Sequence, residues 1–267
     1  MKAILLKELK QRRWSLVAYC LAALGFLWLY ISLFPYLQEQ SQNYMKMFEA
    51  FPKAFMDAFG LEGDFFLNVQ GYMASEMYTL IWPLLTIFLL LSHAGSAIAG
   101  EIETLTIGSL LAQPVSRARL YIVKYVSGVI RLVIFVTATV LTCMPIASIY
   151  HLAYQPSHFF TFSLLALLFG LVIYSFAFML SAIFNEKSHV YFATGGVLFG
   201  MYVLNVISAL KPALKNLKYA SIFHYYNPGD ALIRNHIDPL ALLIFAGGSF
   251  LFFAVGLSLF NKRDISI

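Results

Sequence analysis

Apolar residues run along this chain in six long, nearly unbroken stretches, without the three- and four-residue steps of a half-buried helix or the alternation of a strand. The stretches are Leu16 to Leu37, Tyr78 to Ala99, Leu120 to Ile149, Phe159 to Phe184, Val190 to Leu210 and Pro239 to Phe260. A hydrocarbon core of ~30 Å is crossed by about 20 apolar residues of helix, because only a helix satisfies its own backbone donors and acceptors there. The pattern therefore predicts an all-α integral membrane protein with six transmembrane helices, forming one transmembrane domain over residues 1–267. The third stretch is the longest and holds Pro145, which predicts a tilt or a break near that residue.

The segments between the spans carry their own patterns. Met1 to Arg13 places Ile4, Leu5 and Leu9 on one side of a helix and Lys2, Lys7, Lys10 and Arg13 elsewhere, which predicts an amphipathic helix lying in the membrane interface before the chain turns at Trp14. In the loop after the first span, Phe48, Phe51, Phe55 and Phe59 recur at helical steps and predict a helix packed against the spans. Between Lys211 and Asp238, Ala213, Leu214, Leu217 and Ala220 line one face of a short helix, and Asn227-Pro228-Gly229-Asp230 predicts a turn before re-entry at Pro239.

The loop Gly100 to Arg119 is the most distinctive of these segments. Glu101 and Glu103 close the helix leaving the second span, and Leu105, Ile107, Leu110 and Leu111 predict a short apolar helix. Pro114 stops it, and Ser116 is placed to cap the third span. Four exposed aliphatic side chains between fixed stops predict either a segment lying on lipid or a docking site for a partner outside the membrane.

Composition agrees with a bilayer setting: 60% of the 267 residues are hydrophobic and 12% charged, about half the charge of a soluble domain, and mean hydropathy is +0.76. The formal net charge is +5, which could suggest nucleic acid, but the basic residues are distributed as a topology signal. One side collects Lys2, Lys7, Lys10, Arg12, Arg13, Arg117, Arg119, Lys124, Lys187, Lys262 and Arg263, and the other only Lys46, Lys53, Lys211, Lys215, Lys218 and Arg234. The richer side is expected to be cytoplasmic, with both termini inside and the chain multi-pass in the cell membrane; nucleic acid is not an expected partner. The first span is too long for a signal-peptide core, and Gln38 to Gln42 offers no small-residue cleavage site, so it reads as a retained helix. Cys20 and Cys143 fall near opposite faces and read as buried apolar thiols.

Ionisable residues inside spans are functional candidates by default. With the boundaries above these are His93 and Arg131, and no Asp or Glu lies within any span. Arg131 either snorkels to the interface or faces a translocation path or partner subunit. That count argues against proton coupling through a membrane carboxylate. No His-Glu-x-x-His occurs, no phosphate-binding loop occurs, and Gly256-Leu257-Ser258 lacks a histidine placed to activate the serine, so no catalytic or metal site is expected. Ser92, Ser96 and Gly100, and Gly196 with Gly200, make small-residue faces for helix contacts within the chain or across a dimer. On the residues alone, a transporter subunit, a membrane anchor or assembly protein, and a gradient-driven carrier all stay open.

Glu101, Thr106, Leu110-Leu111, Pro114-Val115-Ser116-Arg117 and Lys124 resemble the stretch E…G-T…L-L-x-x-P-V-S-R…K of ABC-2 type permeases, the membrane subunits of one branch of ABC transporters. Lys7-Glu8-Leu9, Phe51-Pro52, Phe59-Gly60-Leu61, Gly71-Tyr72, Tyr226-Asn227-Pro228 and Phe260-x-x-Arg263-Asp264-Ile265 are similar to that family as well. One position departs: Leu105 stands where a glycine is expected before Thr106. The resemblance implies an interfacial N-terminal helix, a cytoplasmic coupling helix between spans 2 and 3, and short re-entrant helices before the last span. It also implies a second permease subunit, identical or different, and two separate cytoplasmic ATPase subunits that bind ATP and Mg²⁺, so that this chain binds no cofactor and hydrolyses nothing. The coupling loop would meet the ATPase through Glu101, Glu103, Leu105, Thr106, Leu110, Leu111, Pro114 and Arg117, and the cargo would be an amphipathic or hydrophobic compound, exported by alternating access.

Overall fold

The computed structural model of the chain describes residues 2–40, 68–108 and 115–264. Among these, every regular element is helical, and six helices are long and apolar enough to cross a membrane: Arg13–Glu39, Val69–Ala97, Arg117–Ile149, Pro156–Ile183, Lys187–Leu210 and Pro239–Lys262, numbered here spans 1 to 6. Spans 2 and 4 are the most buried and spans 1 and 5 the least, so the bundle is built around the first pair. Span 4 packs along span 6 and touches spans 2, 3 and 5. Phe162, Phe169, Tyr174 and Phe178 fill its buried face. The phenylalanines at 48, 51, 55 and 59 lie outside the described residues.

Span 2 begins at Val69, well before the Tyr78 expected from hydropathy. Its first turns contain Gln70, Ser75 and Glu76, which depress the apolar signal but are accommodated in the helix. Asn68 caps it, accepting a hydrogen bond from the Gly71 amide at 2.7 Å. Gln70 is buried and donates to the Leu232 carbonyl at 2.9 Å while accepting from the Gln155 amide at 3.0 Å. The earlier start places Glu76 inside span 2, so the expectation that no acid lies within a span is corrected.

Two spans contain a π-helical segment, Ala74–Ile81 in span 2 and Thr137–Leu141 in span 3. Each precedes a proline, Pro83 and Pro145, whose ring would collide with the carbonyl four residues back, at Thr79 and Leu141. Widening the turn relieves that collision. The expected break in span 3 takes the form of a π turn followed by an interruption at Thr142, three residues before Pro145. The two segments are tied together: Trp82 Nε1 donates to Thr139 Oγ1 at 2.7 Å and the Tyr78 hydroxyl donates to the Thr139 carbonyl at 3.0 Å. Tyr226 closes the network by donating to the Tyr78 carbonyl at 3.0 Å.

The segment before span 6 forms a 3-10 helix Pro212–Ala220 and two short helices, Ile222–Tyr225 and Pro228–Ile233. The expected turn at Asn227 is a helix start: Asn227 accepts from the Asp230 amide at 3.1 Å and Pro228 occupies the first turn, where its missing donor costs nothing. Tyr226, stacked on Phe169 at 4.1 Å, seats this segment in the bundle. Cys20 and Cys143 are free thiols.

Candidate functional site

The end of the bundle rich in lysine and arginine is organised around two cations on one face of span 3, Lys124 and Arg131, two helical turns apart. The N-terminal helix Lys2–Gln11 lies against this face with Ile4, Leu5 and Leu9 half-buried and Glu8 buried. Lys124 is fully buried, and its ammonium contacts Glu8 Oε1 at 2.7 Å and Glu101 Oε1 at 2.8 Å. Glu101 belongs to the short helix Ala99–Glu103 that follows span 2, so one ammonium joins three separate elements. Lys124 is thus not a solvated topology charge. Burial raises the pKa of the Glu101 carboxyl, and the opposing pull of Lys124 does not fully offset it.

Arg131 extends the same junction. Its guanidinium donates to the carbonyls of Glu8 at 2.8 Å, Leu9 at 3.1 Å and Arg12 at 3.0 Å. The Glu8 and Leu9 carbonyls belong to the last turn of the N-terminal helix, and that of Arg12, which also accepts from the Leu16 amide at 3.4 Å, lies at the break before span 1. The planar fork of arginine serves several at once, where a lysine would offer a single point charge. Arg12 in turn donates to the Ser92 carbonyl on span 2 at 3.4 Å. His93 is buried beside them, with Nε2 at 3.1 Å from Ser127 Oγ and its ring stacked on Tyr174 at 6.0 Å. Ser127 and Tyr174 both donate to the Lys124 carbonyl. Gly128 allows this packing, since a Cβ there would overlap the Tyr174 ring. His93 Nδ1 and Glu101 Oε2 have no hydrogen-bond partner among the described residues. A cavity of about 30 Å³, lined by both residues with Glu8 and Arg12, gives room for a water beside them.

The remaining loop residues are placed as follows. Glu103 accepts from the Lys187 amide at 3.1 Å, satisfying a free donor at the start of span 5. Ser181 of span 4 accepts from the Ile98 and Ala99 amides at 3.3 and 3.0 Å, where the backbone breaks between span 2 and the short helix. The short helix ends in a left-handed residue, Leu105, with φ 57°. The Thr106 amide donates to the Glu101 carbonyl at 2.9 Å and the Leu105 amide to that of Ile102 at 3.0 Å, the bonding pattern of a Schellman cap. Leu105 is therefore a turn residue, not part of an apolar helix, and it is 71% exposed whereas Ile107 is buried. Of the four aliphatic side chains expected at the surface, Ile107 is instead part of the core. Leu110, Leu111 and Pro114 lie outside the described residues. Ser116 caps span 3, accepting from the Arg119 amide at 3.4 Å. Arg117 donates to the Arg263 carbonyl, and Arg263 caps span 4 through the carbonyls of Ala182 at 2.7 Å and Phe184 at 3.2 Å.

The Schellman cap explains the unusual leucine and yields a test. A left-handed non-glycine residue costs roughly 1–2 kcal/mol, and glycine gives back about 0.5–1 kcal/mol in backbone entropy. Leu105→Gly is expected to leave stability unchanged or raise it by up to about 1 kcal/mol, read as the thermal midpoint of the detergent-solubilised protein. A clear drop in that midpoint would contradict the cap assignment.

A second feature lies among spans 1, 2 and 5. Tyr19, Leu80, Pro83, Leu84, Ile87, Phe88, Tyr191, Leu198, Phe199 and Tyr202 surround a cavity of about 630 Å³, with Thr79 and Ser92 among its few polar groups. Neither His93 nor Arg131 lines it. Gly195, on its span 5 wall, has no atom within 4 Å of where a Cβ would stand, and neither do Gly196 and Gly200. Gly95, by contrast, is packed against the ring of Tyr191.

Lys124 and Glu8 were the partners missed on sequence, although both fall in motifs shared with the permease family. Their signal was available in the spacing: Lys124 and Arg131 share a face of span 3, and Glu8 interrupts the apolar face of the N-terminal helix. No curated protein matches the chain. A family model described as ABC-2 family transporter protein matches residues 2–265, taking in the N-terminal helix, the loop after span 2 and all six spans. Six membrane-spanning helices and a match over nearly the whole length identify the chain as a member of the ABC-2 family of transporter proteins, a multi-pass membrane component of an ABC transporter.

Proposed function

We propose that this chain is the permease subunit of an ATP-driven exporter of amphipathic or hydrophobic compounds, working by alternating access. Two such subunits, identical or different, pair in the cell membrane with two cytoplasmic ATPase subunits that bind ATP and Mg²⁺. The lysine- and arginine-rich end faces the cytoplasm, and the loop from Gly100 to Arg119 receives the movement of the ATPases.

The observation that carries this reading is the anchoring of the segment after span 2. Glu101 is bound to Lys124 on span 3, Glu103 to the start of span 5, and the Ile98 and Ala99 amides to Ser181 on span 4. A displacement of this loop is therefore delivered to four spans together rather than absorbed in a flexible connection. The cavity among spans 1, 2 and 5 offers an apolar body a place within the membrane.

The test is to purify the tagged chain from its native membrane under mild detergent. A stoichiometric ATPase with a phosphate-binding loop is the expected companion, and its absence would overturn the permease reading. Changing Leu110 and Leu111 together to Asp is expected to abolish that association, with a loss of at least tenfold in recovered ATPase, while the chain remains in the membrane. Undiminished recovery would show that docking occurs elsewhere.

A further inference from the structure

At the end of the bundle opposite Lys124, the segment between spans 5 and 6 concentrates positive charge in one short element. Span 5 starts at Lys187, beside Glu103, and its 24 residues cover about 36 Å before the chain leaves it at Leu210. That length exceeds the ~30 Å of a hydrocarbon core, so the 3-10 helix Pro212–Ala220 begins at the level of the bilayer surface. Lys211, Lys215 and Lys218 fall close together there, and among the described residues none of the three has a carboxylate partner. The acids that follow in the chain are engaged elsewhere: Asp230 pairs with Arg234, and Asp238 accepts from the Leu240 amide at 2.9 Å as the cap of span 6.

The geometry of the helix sorts these charges. With three residues per turn, side chains three apart stand in one row. Lys215 and Lys218 form one row, Leu214 and Leu217, both exposed, a second, and Asn216 and Tyr219, also exposed, a third. Tyr219 is held in place from several sides. The Lys218 ammonium stands 5.2 Å from its ring, the His224 ring meets it edge-on at 5.4 Å, and the Tyr225 hydroxyl donates to its carbonyl at 3.3 Å. A lysine row beside a leucine row is satisfied neither in water alone nor in hydrocarbon alone. Both are satisfied where the two meet, with the leucines and the lysine stems among acyl chains and the ammonium groups among lipid phosphates. Tyrosine is an anchor for the same level.

We infer that this 3-10 helix, with Lys211 at its start, is a binding surface for anionic phospholipids in the leaflet opposite the Lys124 end. Lys211, Lys215 and Lys218 meet the headgroup phosphates, and Leu214 and Leu217 lie against the acyl chains. A zwitterionic headgroup brings its own ammonium with its phosphate, so the three lysines select lipids of net negative charge. The exposed leucines favour a lipid over a soluble phosphate compound, which has nothing to set against them. None of these residues lines the cavity among spans 1, 2 and 5 or belongs to the loop after span 2, so the assignment stands apart from the permease reading.

The experiment uses the full chain with p-benzoylphenylalanine in place of Asn216, an exposed position on the same helix, in nanodiscs of equal phosphatidylglycerol and phosphatidylcholine with identical acyl chains. After irradiation, lipid adducts at that position are identified by mass spectrometry. Phosphatidylglycerol adducts are expected to exceed those of phosphatidylcholine by about fivefold or more, the worth of roughly one lysine at an anionic surface. The excess is expected to shrink as salt is raised, since exposed charges are screened. Lys211→Gln, Lys215→Gln and Lys218→Gln together should bring the ratio to about one, while Lys211→Arg, Lys215→Arg and Lys218→Arg together should keep it. Equal labelling by the two lipids in the otherwise unaltered chain, a preference that salt leaves unchanged, or an undiminished preference in the triple glutamine variant would overturn the assignment. Adducts to protein in place of lipid would overturn it as well, by showing that another chain covers this face.

Discussion

Lys124→Met is expected to destabilise the protein by about 3–5 kcal/mol, the cost of removing one member of a buried ionic group and leaving the others uncompensated. Without the ammonium, Glu8 and Glu101 face each other at the junction of the N-terminal helix, the loop after span 2 and span 3. The measurement is the thermal midpoint of detergent-solubilised protein followed by size exclusion. The triple variant Lys124→Met, Glu8→Gln, Glu101→Gln is expected to recover most of the loss, because no charge is then left buried alone. The deficit also carries a pH signature. Burial already holds the Glu101 carboxyl above its ordinary pKa, and removing Lys124 takes away the group that opposes that shift. A carboxyl whose folded pKa is raised costs stability above that pKa and none below its unfolded value. The Lys124→Met deficit should therefore shrink as the pH is lowered from 8 toward 5 and grow in the other direction. A variant as stable as wild type at pH 8 would show that the triad contributes nothing.

Arg131→Leu is the second large effect, expected at about 3 kcal/mol because hydrogen bonds to a charged donor are worth about 1.5–3 kcal/mol each and stranded carbonyls recover part of the loss from water. It removes the donor from three carbonyls where the N-terminal helix ends and span 1 begins. The change should be local in its first consequence: amide hydrogen exchange over residues 4–12 is expected to accelerate more than exchange in span 3 itself. Arg131→Lys should fall between, since one ammonium cannot reach all three acceptors. Unaltered exchange in the N-terminal helix would refute the capping role. Because Lys124 and Arg131 both hold Glu8, one by its carboxylate and the other by its carbonyl, the two substitutions should combine with less than additive effect.

The six spans were legible because membrane solvation leaves long apolar runs that no soluble element imitates. The N-terminal helix followed from the spacing of Ile4, Leu5 and Leu9 against the lysines. What the pattern concealed was polar residues whose partners lie far away in the chain. Gln70 is satisfied by Leu232 and Gln155, and without those partners its side chain argues against a helix in lipid. Span 2 therefore seemed to start late, and Glu76 seemed to lie outside it. Lys124 was hidden by its usefulness as a topology marker: a lysine near the end of a span is ordinarily solvated, and only the convergence of Glu8 and Glu101 makes it a buried post. Leu105, the single departure from the family pattern, was visible in sequence, but its meaning needed the positive φ at that position.

The paired π turns carry a consequence for how these helices are to be read by angle. A π turn inserts about one residue relative to the α-helical repeat, which rotates everything beyond it by roughly 100°. A helical wheel drawn through span 2 from Val69 to Ala97 therefore merges two sets of faces that are out of phase, and the same holds for span 3 across Thr137–Leu141. Each of these helices has two angular frames, clasped at one level by Trp82 and Tyr78 on Thr139. Deleting one residue within either π segment would bring the frames of that helix back into register and turn Glu76 or Arg131 away from its present neighbours, so sequence changes here act as rotations as much as substitutions.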